Sequence, residues 1–163
     1  MEVGTLKTAF YYEMAIGRIC IVQENESITH IDLDEMPKDA KNEETLLLKN
    51  AAKQLAEYFS AQRSSFDLPL APKGTGFQQS VWQALLKIPY GATRCYSEIA
   101  EVIGNEKACR AVGMANNKNP ILIVIPCHRV IGKDGSLTGY GEGLPIKQFL
   151  LDLEKKGSAS EAI

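Results

Sequence analysis

The residues best equipped for chemistry are Cys127 and His128, which follow the run Ile121-Leu-Ile-Val-Ile125 and Pro126. A thiolate is the reactive form of cysteine, and an unassisted thiol near neutral pH is only a few per cent ionised. An imidazole and a positive charge nearby raise that fraction, and His128 and Arg129 supply both. Five consecutive apolar residues, four of them β-branched, predict a fully buried strand. Pro126 has no N–H to give and ends the ladder. The thiol is then held at the end of a rigid element, and the turn after it can open to a pocket. The same pattern fits a buried cysteine that is only a small hydrophobe. Neighbours on a strand also point apart, so the two side chains need not touch.

The elements that must position this pair fall into two groups. Residues 8–14, 18–22 and 28–33 read as short strands, with Gly17 and the polar run Gln23 to Ser27 as turns between them. That is an antiparallel meander. Met36 to Asn42 reads as a polar loop. From Glu43 to Phe59 the period becomes helical, with Leu47, Ala51, Leu55 and Tyr58 recurring, and Glu43 and Glu44 in a first turn that the helix dipole favours. Ser60 to Gly76, rich in Pro and Gly, reads as a linker. Residues 1–72 are therefore expected to form a scaffold domain with its linker, and 73–163 the domain that carries the chemistry.

In the second group, Phe77 to Lys87 and Tyr96 to Ile103 are amphipathic helices, and Trp82 lies beside the apolar stripe of the first. Cys95 stands three residues before Glu98, at the start of a capping box where Ser or Thr is the better acceptor. Gly104 closes that helix and Asn105 can cap the next, Glu106 to about Asn116. Two short helices joined this way form a helix-turn-helix pattern or an ordinary helical hairpin. Lys107, Arg110 and Lys118 lie on or beside the second helix, among small residues that let it approach a partner closely. Gly132 to Gly135 is a tight turn. Pro145 suits the start of a last helix whose buried face is Ile146, Phe149, Leu150 and Leu153. The expected class is α+β: a small N-terminal antiparallel sheet with a helix, then a mostly helical domain.

Composition narrows the function classes. Apolar content of 45% with 23% charged residues is that of a globular chain able to build a core. No apolar run reaches the roughly 18 residues needed to span a bilayer, and no secretory signal is read at the N-terminus. Cysteines at 20, 95, 109 and 127 show neither CxxC nor disulfide-module spacing, which suits reduced thiols in the cytoplasm. Cys20 and His30 lack a second close pair, so no zinc site is expected. Residues 1–72 carry a net −5 and residues 73–163 a net +3, so a polyanion should meet the second half.

Pro126-Cys127-His128-Arg129-Val130, Arg110-Ala-Val-Gly113, Asn119-Pro120 and Gly139-Tyr140-Gly141 together resemble the motifs of the O6-alkylguanine-DNA alkyltransferases, the methylated-DNA–protein-cysteine methyltransferases. The similarity runs from about Phe77 to Glu154, with the motifs in the family's order. It implies a winged-helix-like domain whose second helix enters the minor groove of double-stranded DNA carrying alkylated bases. It also implies irreversible transfer of an alkyl group from guanine oxygen to Cys127. His128 matches the general base, acting through a water, and Glu154 the acid that orients it. Asn119 matches the brace before the nucleophile. Arg110 matches the arginine that fills the space of a flipped base, and Tyr96 the tyrosine that donates to a ring nitrogen of that base. Tyr140 resembles a pocket wall, Gly141 would face the leaving oxygen through its N–H, and the carbonyls of Cys127 and Val130 would accept the exocyclic amine. Ser97, Asn105 and Lys133 are further candidate phosphate contacts. Glu142 departs from the family's small residue and bears on which alkyl groups fit.

No metal or organic cofactor is implied, and the expectation is a cytoplasmic, nucleoid-associated monomer (nuclear in a eukaryote) without an obligate protein partner. Other readings of the residues are a Cys-His hydrolase using Cys127, His128 and Glu154, which needs an oxyanion hole, and a binding-only or regulatory sensor of alkylated DNA.

Overall fold

The structure, a computed structural model, describes residues 6–140 and 143–161, without the side chains of the last three. Gly141 and Glu142 thus lie outside the described residues. The chain divides into two compact units, Met1–Lys73 and Gly74–Ile163.

In the first unit β1 (Lys7–Met14), β2 (Gly17–Glu24) and β3 (Ser27–Asp32) form the antiparallel meander that alternation and turn residues predict. Gly17 takes φ +122° at the first turn, where a side chain would strain the backbone. The polar loop expected at 36–42 ends instead in a two-residue strand, β4 (Lys41–Asn42), which pairs parallel to β1 and makes the sheet order β3-β2-β1-β4. A pattern search misses it because both residues are exposed, and only backbone bonding defines it. The helix α1 spans Leu46–Phe59. It starts later than expected because Thr45 caps it, its hydroxyl accepting the Leu48 N–H at 3.1 Å. Glu43 and Glu44 precede the cap, and Glu44 instead accepts the Tyr12 hydroxyl at 2.7 Å. Leu48, Ala51, Leu55 and Tyr58 are buried. Part of the expected linker also belongs to this unit: Ile28 and Leu70 form a parallel bridge, and the Gln54 side chain holds the Asp67 backbone.

The second unit contains α2 (Gly76–Leu85), α3 (Tyr96–Val102), α4 (Cys109–Asn117) and α5 (Leu144–Glu161). Thr75 and Gln78 form a full capping box on α2. Trp82 is buried and its indole N–H donates to the Ala115 carbonyl at 2.9 Å, which ties α2 to α4. The second helix of the helix-turn-helix begins three residues later than expected. Ala108, not Asn105, occupies its cap position, and Asn105 is exposed in the preceding turn, its carbonyl accepting the Ala108 N–H. Two short strands, β5 (Arg94–Cys95) and β6 (Val130–Ile131), pair in parallel and hold the start of α3 beside the segment that follows Cys127.

Two expectations are corrected here. The run Ile121–Ile125 is buried throughout but is not a strand: it folds as successive turns, with Ile123 at φ +71°. Left-handed backbone at a β-branched residue costs about 1–3 kcal/mol. Burial of five apolar side chains and the bonds described below offset that cost. The last helix also runs past Glu154, which is therefore interior to α5 and not near its end. Its buried face is Lys147, Leu150, Glu154 and Gly157, while Phe149 remains 42% exposed. Two charged residues occupy the inward stripe, so a search for apolar periodicity draws the wrong face.

Glu98 Oε1 accepts the Cys95 N–H at 3.0 Å, so half of the capping box on α3 is well made. The sulfur is the weak half, because a thiol accepts poorly where a hydroxyl would accept well. Cys95→Ser should stabilise the protein by about 0.5–1 kcal/mol. Thermal unfolding checks this: an unchanged or lower Tm would contradict it.

Candidate active site

Pro126 leads into a single 3-10 turn, Cys127–Arg129, and all three of its residues are buried. The turn, and not a strand, decides where the side chains go: neighbours on a strand alternate between two faces, whereas two neighbours on this turn reach one group. Cys127 is a reduced thiol, 3% exposed. His128 and Arg129 both turn inward to one carboxylate. His128 Nε2 lies 2.6 Å from Glu154 Oε2. Arg129 donates from Nε to Glu154 Oε1 at 2.8 Å and from one terminal nitrogen to Oε2 at 3.0 Å, while its other terminal nitrogen donates to the Ile88 carbonyl at 2.6 Å. Glu154 Oε1 also accepts the Gly91 N–H at 3.2 Å. Gly91 sits at φ +81°, and a Cβ there would fall 1.8 Å from Ser158 Oγ, so only glycine lets this turn approach α5.

The electrostatics follow from these contacts. Burial pushes the Glu154 carboxyl up, but hydrogen bonds and charge from His128 and Arg129 outweigh it and hold the group down at about 2. Burial pushes the His128 imidazole below its ordinary value, against the opposing pull of Glu154. Burial thus favours the neutral form of the imidazole. With an ionised carboxylate at Nε2, that nitrogen carries the proton and donates. Nδ1 is left with a lone pair, buried and with no hydrogen-bond partner within the protein.

The backbone around the thiol is clamped by amides. Asn119 is buried; its Nδ2 donates to the Ile125 carbonyl at 2.7 Å and its Oδ1 accepts the Ile121 N–H at 3.0 Å. It thus closes both ends of the strained 121–125 loop. Asn116, also buried, donates from Nδ2 to the Cys127 carbonyl at 3.2 Å. Val130 and Tyr140 are buried nearby in sequence.

Lys147 on α5 is fully buried and donates to the carbonyls of Val130 at 2.6 Å and Thr138 at 2.8 Å. Burial lowers its ammonium to about 8, opposed by the charge of the Cys127 sulfur. The Thr138 carbonyl also accepts the Tyr96 hydroxyl at 3.0 Å. Tyr96 is half-buried, its ring lies against Gly113, and it lines a groove of about 480 Å³ with Cys109, Arg110, Met114, Asn117 and Gly139. That size is ordinary for a small-molecule site.

The structure brings Cys127, His128, Glu154, Asn119 and Val130 into one buried network, and Tyr96 and Arg110 into one groove. Thr138 and Lys147 link the two. Ser97, Asn105 and Lys133 stand apart: Ser97 Oγ lies 3.1 Å from the Cys95 sulfur, Asn105 is exposed before α4, and Lys133 is exposed in the 132–136 turn. Asn116, Lys147 and Gly91 were not assigned site roles from sequence, and Arg129, expected to raise the thiolate fraction, instead commits its guanidinium to Glu154 and the Ile88 carbonyl. For Lys147 the available signal was a lysine flanked by apolar residues, Ile146 and Leu150, at helical spacing from Glu154. Among the described residues no group of His, Cys, Asp and Glu is arranged to hold a metal ion, and no helix is long and apolar enough to cross a membrane.

Comparisons with known proteins agree along the chain. Residues 76–156 match the family model of the 6-O-methylguanine DNA methyltransferase DNA binding domain, and residues 9–72 that of the ribonuclease-like domain of the same proteins. The chain is 54% identical over 149 residues to the methylated-DNA–protein-cysteine methyltransferase of Methanosarcina barkeri, covering 88% of this chain and 94% of that one. It is 47% identical over 152 residues to the constitutive enzyme of that name from Bacillus subtilis, covering 88% and 92%. The crystal structure of Mycobacterium tuberculosis OGT in complex with DNA superposes with a TM-score of 0.86 at 43% identity, over 92% of this chain and 94% of that one. With both domain models matched and half of its residues shared with such relatives, the chain belongs to the 6-O-methylguanine DNA methyltransferase (methylated-DNA–protein-cysteine methyltransferase) family.

Proposed function

We propose that this protein repairs DNA by taking an alkyl group from the O6 position of guanine, extruded from duplex DNA, permanently onto Cys127. The observation that carries this reading is one buried turn that joins a reduced thiol to an imidazole bonded to a buried carboxylate, with the Lys147 ammonium on the carbonyl of the residue after the turn. Cys127 Sγ attacks the alkyl carbon in line. The S–C bond forms as the C–O6 bond breaks, and the bonding pair leaves with the guanine oxygen. The thiol proton passes toward His128 Nδ1, whose lone pair is the basic site, through a water. Glu154 stabilises the imidazolium that results. The guanine anion takes up a proton at its ring nitrogen, and the imidazolium returns the proton taken from the thiol to water, so the products are an S-alkyl cysteine and unmodified guanine and atoms and charge balance without a cofactor.

The surrounding carbonyls suit recognition of the base edge. The Cys127 carbonyl accepts from Asn116 and from the Val130 N–H, and the Val130 carbonyl accepts from Lys147; an entering exocyclic amine would share these two oxygens. The Tyr96 hydroxyl, now donating to Thr138, can turn to a ring nitrogen of an entering base. Arg110 is exposed on α4, where it can fill the gap left in the stack. Opening that gap costs a few kcal/mol of unstacking. Ser97, Asn105 and Lys133 remain candidate phosphate contacts, and the protein acts as a monomer. A thioether cannot be hydrolysed by this site, so each chain reacts once.

Mixing the protein with an O6-methylguanine oligonucleotide should add one methylene to Cys127, seen by peptide mass spectrometry, with at most one equivalent per chain. Unmodified protein beside intact lesion would overturn the reading. Glu154→Gln should slow transfer at least tenfold at neutral pH and destabilise the fold by about 3 kcal/mol, since it leaves Arg129 unpaired in the interior. The folded-state value of Glu154, about 2, lies below the ordinary 4.5. Its contribution to stability is therefore complete above pH 4.5 and drains as pH falls toward 2. The variant should show a flatter acid limb in urea-unfolding profiles, and a limb as steep as the parent's would remove Glu154 from this role. Arg110→Ala should slow repair of duplex far more than reaction with free O6-alkylguanine base; equal losses on both would contradict its part in extrusion.

A further inference from the structure

The exposed face of α4 carries one residue that neither its fold nor its charge accounts for. Val112, Ala115 and Asn116 point inward and are buried. Arg110, Ala111, Met114, Asn117 and Lys118 are exposed. Met114 stands at the centre of that face, four residues from Arg110 and four from Lys118, and it is 65% exposed. A long thioether at a well-formed helical position in water contributes nothing to packing here. Alanine would serve the helix better. Met114 also lines the groove shared with Tyr96 and Arg110. An apolar side chain ringed by two cations and an amide matches the chemistry of a minor groove, with phosphates at its walls and base edges at its floor. Proteins that open the stack from this groove commonly do it with apolar wedges, methionine among them.

We propose that Met114 is a second wedge: it inserts into the minor groove beside Arg110 and buries its thioether against the base edges next to the extruded nucleotide. This rests on the reading of the C-terminal unit as a DNA-binding alkyl acceptor. One helical turn separates the two residues, about 6 Å along the axis, so they meet the duplex at neighbouring steps. Arg110 replaces the stacking and hydrogen bonding of the lost base, whereas Met114 excludes water from the widened groove. The flexible, polarisable side chain tolerates any base sequence there, as repair at random sites requires.

The test uses Met114→Ala, Met114→Leu and Met114→Gln in the full chain. The surface position and good helix propensities leave the fold intact. Transfer from an O6-methylguanine duplex is compared with transfer from free O6-benzylguanine. Affinity for undamaged duplex is measured across a salt series. Losing most of the burial of a methionine predicts about a tenfold drop in the duplex-to-free-base rate ratio for Ala and Gln, with Leu within twofold of the parent. Affinity for undamaged duplex should fall at least fivefold for Ala, with no change in the slope of log affinity against log salt. Lys118→Ala, which removes a cation from the same face, should lower that slope by about one. A rate ratio for Ala within twofold of the parent, or Gln equal to Leu, overturns the wedge. The binding series decides the proposal even if alkyl transfer to Cys127 is not found, because it needs no lesion. Undiminished affinity of Met114→Ala would overturn it there.

Discussion

Glu154 is an ionised carboxylate with almost no contact with water, and the C-terminal unit is arranged around making that tolerable. Removing such a charge from water costs several kcal/mol, even after relaxation. The cost is offset by a paired set of donors: the imidazole N–H of His128, a two-pronged grip by Arg129, and the Gly91 amide. Each donor imposes something on the fold. Arg129 needs its remaining nitrogen satisfied and takes the Ile88 carbonyl just past α2. Gly91 needs a left-handed turn that no side chain could share with Ser158. Glu154 itself needs a helix that continues beyond it, so that its backbone is bonded while its side chain faces inward. The 3-10 turn aims two consecutive basic residues at the same acid, which a strand could not do.

The chemistry then follows from the tautomer. An imidazole that donates from Nε2 presents a lone pair at Nδ1, and only a buried acid keeps that choice fixed. On the other side, Lys147 is buried against two carbonyls and feels the Cys127 sulfur. The two buried charged residues of α5, Lys147 and Glu154, are seven apart. They lie two turns from each other on one face, and the turn that carries Cys127 packs against that helix. The helix is therefore a structural element of the site and the source of two of its charges, Arg129 being the third.

Much of this was legible in the sequence, and the exceptions have physical causes. The meander and α1 were legible because one face of each is apolar and its period is intact. Cys127 and His128 stood out by their chemistry, whereas the place of Asn119 and Glu154 beside them was legible only through the resemblance of several separated motifs. Alone, Glu154 reads as a solvated surface acid. The run 121–125 misled because β-branched residues signal burial as strongly as they signal extended backbone; here burial is kept and the strand is lost to the Asn119 clamp. Lys147 was missed as a site component, and Arg129 was read as a charge for the thiol, because charged residues are assumed to face water unless a partner is known. Their partners, backbone carbonyls and an acid twenty-five residues beyond Arg129, are invisible to local pattern.

A site held this firmly leaves little freedom for the protein to move toward its substrate. Asn119 ties both ends of a loop whose Ile123 is already strained, Asn116 fixes the Cys127 carbonyl, and Lys147 fixes that of Val130. The thiol at the centre is 3% exposed. A group attached to a base inside a stacked duplex cannot reach such an atom, and displacing the clamps would expose two buried charges. On the proposed reading the cheaper motion is in the nucleic acid, where extrusion costs a few kcal/mol. The two helices nearest the site differ in the same sense. The inward face of α5 carries charges locked by bonds, whereas the outer face of α4 keeps Arg110, Met114 and Lys118 in solvent.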